Sequence, residues 1–82
     1  MYYVYVIYNK NAKKHYVGQT ENLKLRITRH NNHFYRSYTS RFPGKWELIY
    51  SESVATRSEA LSREKGLKSG NGRAFVKSVI PG

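Results

Sequence analysis

At 82 residues the chain is long enough for a single domain with one core, in which folding buries only about 60% of the surface that the unfolded chain exposes. Fifteen Lys and Arg against five acids leave a formal charge of +10, and the natural partner of so basic a surface is a polyphosphate, nucleic acid first. All five acids are Glu, and neither Asp nor Cys occurs, which excludes Ser-His-Asp catalysis, disulfides, thiol chemistry and cysteine-ligated zinc, and leaves little for a carboxylate-rich two-metal centre.

Hydrophobic content of 39% and aromatic content of 15% suffice for a folded core. The mean hydropathy of −0.74 therefore reflects surface charge. No window approaches the roughly 18 consecutive apolar residues of a membrane span, and the N-terminal run is too short and too polar for a signal peptide, so a soluble cytoplasmic protein is expected.

Tyr2 to Tyr8 is β-branched and aromatic on both parities, the pattern of a strand covered on both faces and central in its sheet. Asn9 to Lys13 supplies turn chemistry, and Lys14 to Gln19 completes a hairpin. Gly18 is expected to end that strand at a point where a side chain would obstruct something. Thr20 is the expected N-cap of a helix running to about Asn31, with Glu21 in its first turn. Leu23, Ile27 and His30 recur at helical spacing, with Arg26 at the edge of the same face. Asn31 to Gly44 is loop-like. Trp46 to Ser51 reads as a third strand, with Trp46, Leu48 and Tyr50 on one side and Glu47 and Ile49 on the other.

Thr56-Arg57-Ser58-Glu59 matches a capping box, so Glu59 has a structural role at the start of a helix reaching about Lys68. Gly70-Asn71-Gly72 is expected to end that helix with residues suited to positive φ. Phe75, Val76, Val79 and Ile80 then mark a short amphipathic helix. Advancing about 100° per residue, Glu64 falls about 40° from Ala60 and between it and Leu61. A carboxylate on an apolar stripe costs several kcal/mol unless it is paired or binds a cation. Two readings stay open on pattern alone, an ion pair with an Arg and a metal ligand.

Tyr5 and Tyr16 flank the proposed hairpin and can meet across paired strands if they share a face. Aromatic packing is the plain alternative for each of the eight tyrosines. An unperturbed phenol has a pKa near 10, so Tyr16 could act as a base only beside cationic or metal-bound groups.

The order Tyr3-Val4-Tyr5, Tyr16-Val17-Gly18, Arg26, His30 and Glu64, with the run from Tyr16 to Ile27, resembles the GIY-YIG nucleases, metal-dependent enzymes that cut DNA phosphodiesters. The likeness extends from Met1 to about Ile80, and Ala60 to Lys68 looks like the helix on which that family carries its metal-binding Glu. It implies an α/β domain in which a three-stranded antiparallel sheet is flanked by helices. It also implies that Tyr16 activates the attacking water or attacks directly, that Arg26 stabilises the pentavalent phosphate, and that Glu64 binds Mg²⁺ or Mn²⁺. Tyr5 would support the site by hydrogen bonding. His30 would shuttle a proton or contact phosphate, the alternative being a partner for the helix C-terminal dipole. Tyr3 stands where the family has glycine.

The segment from Tyr35 to Arg41 resembles the small stand-alone bacterial members of the family. Lys14, Arg29, Arg36, Tyr38, Arg41 and Lys68 are the expected nucleic-acid contacts, through phosphate charge and base stacking. The resemblance makes single-stranded, duplex or branched DNA the partner, with work in repair or recombination. The alternatives are a basic nucleic-acid-binding module on the same fold without chemistry, and a small RNA-associated protein.

Overall fold

The computed structural model describes residues 1–31, 42 and 44–81. Arg36, Tyr38 and Arg41 lie outside the described residues. Tyr2–Asn9 forms β1, Lys14–Thr20 forms β2 and Trp46–Val54 forms β3. They make a three-stranded sheet of order β2-β1-β3, antiparallel throughout, with β1 in the centre as its two-sided apolar pattern requires. The helices are α1 (Leu23–Asn31), α2 (Arg57–Lys68) and α3 (Gly70–Val79).

Alternation along β1 sends side chains to two core clusters, one on each face of the sheet, where the length of the chain suggested one. Val4 and Val6, with Val17 of β2, meet Ala60 and Leu67 of α2 and Val76 of α3. On the other face Tyr5, Ile7 and Trp46 are fully buried, with Tyr16, Phe42 and Leu23 and Ile27 of α1 packed against them. Each buried aliphatic side chain contributes about 1.5–3 kcal/mol, so both layers are needed in a chain this small. Asn31 fastens the end of α1 to β3: its side-chain amide donates to the Trp46 carbonyl at 3.0 Å and accepts from the Trp46 N–H at 2.6 Å.

Several local features differ from the sequence-based expectation. The N-cap of α1 is Asn22, whose Oδ1 accepts from Leu25 N at 3.1 Å, while Thr20 ends β2 and its Oγ1 accepts from Asn22 N at 3.2 Å. β2 thus runs past Gly18, and Glu21 lies ahead of the helix. The pairing of β3 with β1 slips between Val6 and Ile7, Val6 facing Tyr50 and Ile7 facing Leu48. This bulge at Ile49 turns Tyr50 to the core with α2 and α3, away from Trp46. The glycines after α2 open α3 instead of closing α2, because Ser69 alone joins the two helices. No described glycine there has positive φ. What position 72 requires is closeness, since a Cβ on Gly72 would collide with the Gly66 carbonyl oxygen and the Leu67 backbone. Half of the expected capping box forms, Glu59 N donating to Thr56 Oγ1 at 3.2 Å, without the return bond from Thr56 N to the Glu59 carboxylate among the described residues. Among the described residues no helix is long and apolar enough to cross a membrane.

Candidate active site at the edge strand

Tyr5 of β1 pairs in register with Gly18 of β2, and Ile7 with Tyr16, so Tyr5 and Tyr16 are diagonal neighbours on one face. Their ring centroids are 6.4 Å apart. Gly18 makes this possible: a Cβ there would lie 2.6 Å from the Tyr5 hydroxyl oxygen and 2.9 Å from Tyr16 Cε2. The obstruction expected at Gly18 is therefore the tyrosine pair itself.

α1 lies over this face and brings Arg26 and His30, one turn apart, to the same place. Arg26 Nε donates to the Tyr5 hydroxyl at 3.3 Å, and the Tyr5 hydroxyl is 3.0 Å from His30 Nε2. Burial, and then the charge of Arg26, push the His30 pKa down to about 4. The imidazole is consequently neutral at pH 7 and cannot serve as a cation for the helix dipole. With its proton on Nδ1 it accepts the Tyr5 O–H at Nε2, while the Tyr5 oxygen accepts from Arg26. The His30 ring stands 5.3 Å from that of Tyr16.

Glu64 comes from α2, on the opposite face of the sheet. Its carboxylate is not in an arginine bridge: Lys68 Nζ donates to Glu64 Oε2 at 3.3 Å, one turn along the helix, and lies 5.7 Å from the centre of the Tyr16 ring. The arginine bridge of α2 is instead that of Arg63 with Glu52 of β3, at 2.8 Å. Glu64 sits at the boundary of the core, its side chain 23% exposed. Leu61, placed on the same stripe by its spacing, is 46% exposed. Ala60 and Leu67 are the residues that α2 buries.

The structure thus brings Tyr5, Tyr16, Arg26 and His30 together directly, and connects Glu64 to Tyr16 through Lys68. Of the expected nucleic-acid contacts, Lys14 is exposed at the start of β2, 5.9 Å from the centre of the Phe42 ring, and Arg29 is half-buried on α1. Among the described residues no group of three or more His or Glu side chains could hold a metal ion. Two residues missed in the sequence, His15 and Arg73, line an open pocket of about 380 Å³ with Tyr16, Val17, Leu67 and Lys68. His15 precedes Tyr16 on β2, a signal that adjacency alone carried. Arg73 had none among 15 cations.

A family model for the GIY-YIG catalytic domain matches residues 1–76. A UPF0213 protein of Staphylococcus saprophyticus is 31% identical over 81 residues, covering 99% of this chain and 96% of that protein. One from Clostridium perfringens is 41% identical over 68 residues, covering 83% of this chain and 71% of that protein. The solution structure of a UPF0213 protein from Bacillus halodurans matches with a TM-score of 0.55 and 27% identity, over 100% of this chain and 88% of that one. The family model covers nearly all of the elements described above, and the chain belongs to the GIY-YIG family.

Proposed function

We propose that this chain is a divalent-metal-dependent endonuclease that hydrolyses DNA phosphodiester bonds. The observation that carries this reading is the set of neighbours of Tyr16: its ring is 5.3 Å from that of the neutral His30 and 5.7 Å from Lys68 Nζ, which is bonded in turn to Glu64. Tyr16 would activate the attacking water or attack the phosphorus itself. The acceptor nitrogen of neutral His30 is engaged by the Tyr5 hydroxyl, so His30 would take up a proton through that hydroxyl, which also fixes its ring. Arg26, oriented through Nε by the same hydroxyl, would stabilise charge on the phosphoryl oxygens.

Glu64 is the residue that would hold Mg²⁺ or Mn²⁺. One partly exposed carboxylate, completed by waters and phosphate oxygens, fits the hard, octahedral preference of Mg²⁺. Bound there, the ion would polarise the scissile phosphate and ease departure of the leaving oxygen.

Single-stranded, duplex and branched DNA, the last being the form that repair and recombination generate, should be incubated with the protein and Mg²⁺, Mn²⁺ or chelator. Metal-dependent cutting by the wild type, reduced about 10²–10⁴-fold in Tyr16→Phe and in Glu64→Ala, is the expected result. A second reading is a DNA-binding module without chemistry, which the +10 charge and the sparse ligand set favour. Tight binding with no cutting on any substrate would select it.

A further inference from the structure

We infer that the pocket between β2 and the α2–α3 corner is a second phosphate site, which receives the backbone phosphodiester neighbouring the one held at Tyr16. It is lined by His15, Tyr16, Val17, Leu67, Lys68 and Arg73 and has a volume of about 380 Å³, room for a phosphate with its sugar. Two of its walls are cationic, Lys68 from the end of α2 and Arg73 from the first turns of α3. Val17 and Leu67, which belong to the core, also line it.

The placement of Arg73 is built into the fold. Because Gly72 has no Cβ, the start of α3 sits directly on the backbone of Gly66 and Leu67, and the next residue is brought to the mouth of the pocket. Arg73 has no carboxylate within bridging distance among the described residues, in contrast to Arg63 and Lys68. Burial, and then the charge of Arg73, hold the His15 pKa below its usual value. A guanidinium that lines the same pocket as His15 and has no carboxylate partner among the described residues is a site for an anion. Tyr16 forms part of the wall, so whatever fills the pocket is contiguous with whatever is held at the reacting group. The extra identity of the ligand rests on the proposed function: it is the same DNA strand, not a separate anion.

The test is binding in chelator, where nothing is cut. Anisotropy of a labelled oligothymidylate, measured over a series of salt concentrations, should show Arg73→Gln binding about tenfold more weakly, with the log–log salt slope reduced by about 0.7, the value for one contact to a single strand. An unchanged slope overturns the site. A second measurement needs no substitution: in the wild type, saturating oligonucleotide should raise the His15 pKa followed by NMR, and an unmoved pKa overturns it equally. Both effects should persist on an oligonucleotide without terminal phosphate, and dependence on a 5′ phosphate would overturn the assignment to the internal backbone. The two proposals fail separately. Slope loss without any metal-dependent cutting sinks the nuclease and leaves the pocket, whereas cutting with an intact slope in Arg73→Gln sinks the pocket alone.

Discussion

A single methyl group at position 18 would lie 2.6 Å from the Tyr5 hydroxyl oxygen and 2.8 Å from Tyr5 Cζ. That ring is fully buried and cannot retreat without leaving Arg26 and His30, so Gly18→Ala is expected to destabilise the fold by about 1–3 kcal/mol. Urea unfolding measures the cost, and DNA cutting should fall with it as Tyr16 is displaced. His30 ties stability to pH. Its folded pKa of about 4 lies below the ordinary 6.5, so between those values the unfolded chain binds a proton that the folded one refuses. Stability should therefore fall as pH drops from about 6.5 to about 4, by on the order of 3 kcal/mol. His15, also lowered, acts in the same direction. His30→Gln should flatten the loss of urea midpoint between pH 7 and pH 5, and an unchanged pH profile would show that His30 is charged in the fold. The meeting of Tyr5, Tyr16, Arg26 and His30 was legible in the sequence, because motif order, the hairpin and helical spacing mark it. That of His15 and Arg73 was not, since it depends on how α3 sits on α2.

The two helices of that corner contain glycines that look alike in the sequence and differ in the structure. Gly66 lies inside α2 with nothing within 4 Å of an added Cβ, so Gly66→Ala should stabilise by about 0.5–1 kcal/mol through helix propensity. Gly72→Ala drives a Cβ into the Gly66 carbonyl and the Leu67 backbone, which have no room to move. It should cost more than about 2 kcal/mol and pry α3 from Tyr50, whose ring meets Phe75 edge-on at 5.0 Å. Thermal unfolding of the two variants should move in opposite directions, and a common direction would refute the close α2–α3 contact. Elements with strong local signals were legible: the two-sided apolar β1, the hairpin, the Thr56 cap. The bulge at Ile49 was not, because simple alternation through β3 is broken by pairing to β1 and not by any residue of turn or breaker type. The α1 cap moved from Thr20 to Asn22 because Thr20 remains paired with Tyr3 in the sheet.

Across the whole molecule, the sheet separates α1 from α2 and α3, and the edge strand β2 is where the two sides meet. Arg26 and His30 belong to the helix on one face and Glu64 and Lys68 to a helix on the other, and the His30 ring and Lys68 Nζ come to 5.3 Å and 5.7 Å of the Tyr16 ring centre. Charge is divided in the same way. The formal charge of +10 is carried largely by exposed Lys and Arg, which would attract phosphate at long range and are screened beyond about 10 Å in 0.1 M salt. Arg26, in the role proposed for it, would act at short range beside a buried phenol and a buried imidazole, where screening is weaker. Added salt should therefore raise KM steeply, by counterion release over every phosphate contact, while kcat at saturating DNA stays within about twofold. A kcat that fell in step with binding would mean that the reacting phosphate is held by the screened surface cations, and the role given to Arg26 would then pass to them.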